Sequence, residues 1–361
     1  MLPPIEPMLA LSVPEIPTGE GMTYEPKWDG FRIVIFRVGD EVEQASRGGK
    51  MMTRYFPEVV EQAKAQLPER CVVDGELVVI RQGSGDLARL DFELLGQRIH
   101  PAASRVKLLA ETTPASFIAF DVLALADELL MEQGYADRRA RLAEALATVV
   151  PPVHVTAVTT DASVAREWFA VLEGAGLDGL VAKPADVPYL PGKRVMYKIK
   201  HARTADVVVA GFRWHKADSP EQRLLGSLLL GLYDGQGRLH HVGVSASFSR
   251  ERRAELVDEL APYRLRTGEE HPWLSADGTV DPTHRLPGAV SRWTGKKDLS
   301  WEPLRPELVA EVGYEAMEGD RIRHTAQFKR WRPDRTPRSC TYEQLERPVR
   351  VDVTDVLAGR V

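Results

Sequence analysis

Cysteine is nearly absent. Cys71 and Cys340 are the only two in 361 residues, far apart and outside any Cys-x-x-Cys pair. That argues against a disulfide framework and against a structural zinc built from cysteines. The N-terminus, Met1-Leu2-Pro3-Pro4-Ile5-Glu6-Pro7, lacks the basic and apolar regions of a signal peptide. No stretch is long and apolar enough to span a membrane. These absences lead us to expect a reducing, cytoplasmic compartment. A surplus of positive charge is missing too, the formal net charge being -5. Taken alone, this argues weakly against a nucleic-acid partner. Local charge matters more, because screening acts over about 8 Å at physiological salt. Two segments are strongly basic. One carries Lys193, Arg194, Lys198, Lys200, His201 and Arg203; the other runs from Arg321 to Arg338, with Asp334 as its single internal acid. Each is either a solvated face or a landing site for an anion.

What is present describes two globular domains of α+β class. The length suits two cores better than one. In the first half, residues Phe31–Phe36, Val72–Ile80, Ser116–Leu123, Gly179–Lys183 and Val195–Lys200 read as strands. Helices are expected from Asp137 and after the cap Asp161. The character changes near His201-Ala202-Arg203-Thr204, so the expected domains are 1–201 and 202–361. Strands Val207–Phe212, Ser227–Tyr233 and Leu239–Val244, a helix capped by Ser249, and strands Leu308–Met317 and Ile322–Trp331 give the order of a five-stranded OB barrel. The Pro/Gly-rich stretch from His271 to Gly288 reads as a long loop.

Several residues carry chemistry. Lys27 lies in Glu25-Pro26-Lys27-Trp28-Asp29-Gly30-Phe31-Arg32, beside a carboxylate, a turn glycine and an arginine. A lysine in a pocket shared with other cations can lose its proton and act as a nucleophile. Asp74-Gly75-Glu76 interrupts an apolar strand, where a carboxylate is costly unless paired or holding a cation. Its bland alternative is an ion pair with a nearby arginine. Asp178 enters another short apolar strand that ends in Lys183. Two such acids could share a hard divalent cation bridging phosphates. Phe120 is either a core residue or a ring stacked on a purine. Arg32 and Arg47 could bind ribose or phosphate oxygens. Lys198 and Lys200, two apart, would point to one face, where like charges need an anion.

In this order the motifs resemble the covalent nucleotidyltransferase superfamily, and within it the ATP-dependent DNA ligases, most of all the small ligase C branch of actinobacteria. Lys27-Trp28-Asp29-Gly30 resembles the nucleotidyl-lysine motif, and Asp74-Gly75-Glu76-Leu77 the third motif. Phe117–Leu123 resembles the purine-stacking segment that adjoins it. Asp178–Lys183 and Val195–Lys200 resemble the fourth and fifth motifs, and Arg332-Pro333-Asp334-Arg335 the sixth. The resemblance implies a nucleotidyltransferase (adenylation) domain of antiparallel sheets and helices, followed by an OB-fold domain. It implies that Lys27, Asp29, Lys198 and Lys200 do the catalytic work, with Lys27 becoming adenylylated. Glu25, Lys27, Arg32, Arg47, Glu76, Phe120, Lys183, Arg194, Lys198, Lys200, Arg332, Asp334 and Arg335 would hold ATP, and Glu76 and Asp178 the metal, Mg2+ or Mn2+. The implied partner is nicked duplex DNA with 5′-phosphate and 3′-hydroxyl ends, handled by a monomer that works in repair, alone or with repair-protein partners.

There are departures. The fourth motif usually carries Glu where this chain has Asp178, and the sixth ends in Arg335 rather than Lys. With Lys27 so near the start, a DNA-encircling N-terminal domain is not expected. An mRNA-capping guanylyltransferase and an RNA ligase are alternatives of the same superfamily. A non-catalytic OB-type nucleic-acid-binding protein is an alternative of a different class. The missing zinc cysteines disfavour an NAD-dependent ligase.

Overall fold

The computed structural model describes residues 5–82, 87–217, 219, 222–274, 287, 300–346 and 348–361. Most of the expected His271–Gly288 loop lies outside the described residues. The chain forms two units, residues 1–200 with 348–361, and residues 201–347.

Two sheets build the first unit. The larger sheet orders its strands Glu41–Ser46, Phe31–Val38, Arg70–Gln82, Ala115–Leu125 and Glu128–Leu129, with Ala88–Leu90 and Val153–Val155 attached. The smaller orders them Leu9–Val13, Arg194–Ile199, Leu180–Pro184 and Met22–Pro26. Alternation along the strands decides which residues enter which core. In Arg70–Gln82, Val73, Leu77 and Val79 join a core with the helix Pro57–Gln66 and with Leu142 of the helix Tyr135–Ala145. The opposite face carries Val72, Asp74, Glu76 and Val78. Val72 packs with Met8, Tyr189 and Met196, and Val78 with Tyr24, Trp28 and Leu180, residues of the smaller sheet and its flanking segments. Asp74 and Glu76 therefore fall in a polar gap between two apolar clusters.

The expected second domain ended at residue 361, but residues 348–361 belong to the first unit. Val353 and Val356 of the short helix Val353–Leu357 are buried in the cluster around Trp168 and Leu172. Asp352 caps that helix and accepts a hydrogen bond from the Ala88 N–H at 3.1 Å. A Cβ on Gly174 would lie 1.6 Å from the Val349 carbonyl oxygen, so only glycine admits the returning tail. No sequence pattern signals this return, because a five-residue helix carries too little periodicity. Burying two valines contributes about 3 kcal/mol or more. Deleting residues 348–361 is expected to lower the melting temperature by about 6–12 °C, and Gly174→Ala should reproduce part of that loss in a thermal melt. An unchanged melt in both would show that the tail adds nothing.

The second unit is a five-stranded sheet in the order Leu239–Ser245, Leu225–Tyr233, Arg203–Trp214, Glu302–Tyr314 and Gln327–Trp331. A parallel bridge between Ser245 and Ala326 joins its two ends, which closes it as an OB barrel. The helix Arg250–Leu260, capped by Ser249, lies in the chain between Leu239–Ser245 and Glu302–Tyr314 and buries Leu256 and Leu260. The expected strand Ile322–Trp331 is in two pieces, Arg321–Ile322 and Gln327–Trp331. The first piece pairs back on Met317–Glu318, whereas the second pairs with Glu302–Tyr314. Both cysteines are buried and free. Among the described residues, no helix is long and apolar enough to cross a membrane.

Candidate active site

Lys27 follows the strand Met22–Pro26 and is stitched to the segment before Leu180–Pro184. Its N–H donates to the Gly179 carbonyl at 2.9 Å, and the Asp178 N–H donates to the Lys27 carbonyl at 3.0 Å. Gly179 has φ +124°, and a Cβ there would meet the Ile199 carbonyl oxygen at 2.1 Å. Glycine thus turns Asp178 toward Lys27. The Lys27 Nζ lies 2.9 Å from Asp178 Oδ2, and the Lys200 Nζ lies 3.4 Å from the same oxygen. Two ammonium groups thus meet on one carboxylate oxygen beside the gap.

Register places the other cations. Val181 pairs with both Glu25 and Lys198, and Lys183 with Thr23. Lys198, Glu25 and Lys183 therefore share the face that carries Val181, whose side chain packs beside Met8 and Val34. The strand ends at Ile199, so Lys200 stands one residue beyond it rather than within it. Lys183 and Glu25 are each 3% exposed and form an ion pair at 2.7 Å, with the Tyr135 hydroxyl donating to the other Glu25 oxygen. The Lys183 ammonium also lies 4.9 Å from the Phe120 ring centre and 4.4 Å from that of Tyr135.

Phe120 sits at a β-bulge. Asp74 pairs with Asp121 and Gly75 with Ala119, so Phe120 has no opposite residue. The bulge puts Phe120 and Asp121 on the same face, because it breaks the two-residue alternation. Phe120 is partly exposed between buried Ala119 and Asp121, as a ring offered to a flat ligand would be.

Burial pushes the Glu76 carboxyl up to about 8. Lys27 and Arg32 pull it down, and Asp29 and Asp74 push it up by smaller amounts. Glu76 is thus largely protonated at neutral pH until a cation approaches. Asp29 is buried nearby. Among the described residues, no cluster of three or more His, Cys, Asp or Glu is assembled to hold a metal ion. The carboxylates fit Mg2+ or Mn2+ only in the usual manner for Mg2+, one or two carboxylates with substrate phosphates completing the shell.

Not every expected residue joins this group. Arg194 is exposed at the opposite end of its strand, about 13 Å along the backbone from Lys198. Its register partner there is Leu9, next to the Met8 carbonyl that holds Arg32, and a phosphate contact from Arg194 is a proposal. Arg47 is exposed in the turn after Glu41–Ser46, where Ser46 pairs with Ile33, and so borders the Arg32 end of the sheet. Arg332, Asp334 and Arg335 lie in the second unit after Gln327–Trp331. Arg332 pairs with Asp334 at 2.7 Å and with Asp206 at 2.9 Å, and Arg335 with Asp206 at 3.2 Å. The Arg332 guanidinium holds the Asp334 carboxyl down at about 2. Sequence reasoning missed Tyr135 and Tyr189 altogether. Tyr135 opens the helix Tyr135–Ala145 and Tyr189 lies between the strands Leu180–Pro184 and Arg194–Ile199, and no spacing links them to Lys27. Asp74 had a signal, a carboxylate inside an apolar strand, and its partner is Arg32 at 2.6 Å.

A family model of the ATP dependent DNA ligase domain matches residues 7–200, and one of the ATP dependent DNA ligase C terminal region matches residues 221–335. DNA ligase C of Mycobacterium tuberculosis is 52% identical over 363 residues, covering 99% of this chain and 98% of that protein. DNA ligase C2 of Mycolicibacterium smegmatis is 53% identical over 350 residues, covering 96% of each. A solved structure of a Lig E DNA ligase, described as DNA binding with a minimal scaffold, is 17% identical with a TM-score of 0.51. It covers 90% of this chain and 99% of that one, a likeness of fold alone.

Proposed function

The chain belongs to the ATP-dependent DNA ligase family, and we propose that the group around Lys27 is where it forms its lysyl-AMP intermediate. The observation that carries this reading is the Lys27 amine held 2.9 Å from Asp178 at the mouth of the polar gap, with Lys200 on the same carboxylate. Attack requires the free amine, so the Lys27 ammonium must release its proton and its hold on Asp178 before it acts as nucleophile. The Lys27 nitrogen then forms a bond to the α-phosphorus of ATP while the bond to the β-phosphate oxygen breaks and pyrophosphate leaves. Lys198 and Lys200 offset the charge that builds on the phosphate oxygens. Phe120 stacks on the adenine. The buried pair Glu25–Lys183 fixes the floor beneath it.

In the second transfer, the 5′-phosphate of a nick attacks the AMP phosphorus and the bond to Lys27 breaks. In the third, the 3′-hydroxyl attacks the activated 5′-phosphorus and AMP leaves. Glu76 and Asp178, with Asp29 beside them, are the groups we assign to hold a divalent cation, which when bound supplies positive charge to phosphate oxygens. Arg32 and Arg47 border the gap as contacts for ribose or for the nick phosphate. Arg332, Asp334 and Arg335 of the second unit are assigned to the pyrophosphate, on resemblance alone. Nicked duplex in the cytoplasm, close to the nucleoid, is the substrate we propose, with repair as the setting and a monomer as the working form.

The test is transfer of label. The protein should take up label from α-labelled ATP and not from α-labelled GTP, and should pass it to the 5′ end of a nick before sealing. Uptake from GTP instead would favour the capping-type reading, and no covalent label from either nucleotide would end the proposal.

A further inference from the structure

Arg32 is unusually constrained for a residue meant to meet a substrate. A guanidinium has five N–H donors. Three are committed here: Nε to Asp74 Oδ1 at 3.0 Å, Nη2 to Asp74 Oδ2 at 2.6 Å, and Nη1 to the Met8 carbonyl at 2.6 Å. One N–H on each Nη is left, and the guanidinium lies 5.2 Å from the Phe120 ring centre. Both of its anchors lead to one residue outside the recognised motifs. The Tyr189 hydroxyl is 2.7 Å from Asp74 Oδ2 and 3.3 Å from the Met8 N–H.

The direction of these bonds is fixed by chemistry. An ionised carboxylate only accepts and a backbone N–H only donates. Tyr189 therefore donates to Asp74 and accepts from Met8. One hydroxyl holds the carboxylate that grips two Arg32 nitrogens, and also the peptide segment whose carbonyl grips the third. Tyr189 is itself rigid. It is 2% exposed, its N–H donates to the Met131 carbonyl at 2.7 Å, and the Arg138 guanidinium lies 5.6 Å from its ring centre. Arg138 in turn is locked by two bonds to buried Asp121, at 2.8 and 2.9 Å.

We propose that Tyr189 is a positioning residue for ligation. Its hydroxyl holds Arg32, through Asp74 and Met8, in the one orientation that aims the two remaining N–H groups at a substrate phosphate. This rests on the reading that Arg32 contacts substrate. Arginine forks recognise phosphate through paired donors, so orientation counts as much as charge. Small misplacements of such groups cost rate steeply.

Tyr189→Phe conserves volume and removes only the hydroxyl. The experiment loads the protein with labelled AMP and follows single-turnover transfer to a nick, for wild type, Tyr189→Phe, Arg32→Lys and the double variant. Lysine keeps a charge against Asp74 but cannot fork. Tyr189→Phe should slow transfer about 10-fold while melting within about 4 °C of wild type. In the Arg32→Lys background, which is itself slowed, the same change should cost less than about twofold, because its effect runs through Arg32. Transfer at the wild-type rate in Tyr189→Phe overturns the inference. So do single effects that multiply in the double variant, which is what a merely structural tyrosine predicts, and so does Arg32→Lys at the wild-type rate. Failure of the lysyl-AMP reading would look different, since no variant and no wild type would load label.

Discussion

Lys27→Arg should take up no label from ATP, a loss of at least about 10^4-fold in the first step. Arginine can keep the ion pair with Asp178, which lies 2.9 Å from the lysine nitrogen. Its guanidinium stays protonated and has no usable lone pair. The fold and the local charge balance are thus preserved while the nucleophile is removed, so the melting temperature should hardly move. The same variant given a nick that already carries AMP should still seal it, within about 10-fold of wild type, because the last transfer uses the 3′-hydroxyl as nucleophile. Gel autoradiography of the protein and of the DNA reads both steps. Normal labelling of Lys27→Arg would move the nucleophile to another residue.

Glu76→Gln carries the second large effect, and its sign is opposite for stability and for activity. Burial raises the Glu76 carboxyl from its ordinary value of 4.5 to about 8. Between those two values the folded chain keeps a proton that the unfolded chain has released. Stability without a cation therefore falls as pH rises from about 4.5 to about 8. Glutamine is neutral throughout, so the variant should lose most of this slope and melt above wild type at pH 8. Uptake of label from ATP should meanwhile fall about 10^2- to 10^3-fold, because the amide cannot balance a divalent cation. Thermal melts at pH 5 and pH 8 in chelator, with labelling at pH 8 in Mg2+, check both halves. A variant with the wild-type pH slope, or with wild-type labelling, would remove Glu76 from the proposed metal site.

The positively charged edge of the site was legible because its chemistry is local in sequence. Lys27 and Asp29 lie in one short run, Lys198 and Lys200 in another, and Asp178 with Lys183 in a third. The second unit was legible because strands of period two and a capped helix appear in the order of an OB barrel. Three readings needed revision. Lys200 stands beyond its strand, the expected strand Ile322–Trp331 is in two pieces, and residues 348–361 return to the first unit. In each case the sequence named the element but not its end or its neighbour, and those depend on packing against distant segments.

Residue type and order determined that this chain carries a lysine nucleophile motif, paired acids in apolar strands and a C-terminal barrel. Only the tertiary structure decided that Phe120 and Asp121 face the gap together, since one bulge opposite Asp74 and Gly75 breaks the alternation of their strand. Only it decided that Tyr189 holds Arg32, and that Tyr135 and Lys183 close around Glu25. The reason is physical. A buried charge must find its partners wherever the fold brings them, and those partners lie up to 158 positions away, as Lys183 does from Glu25.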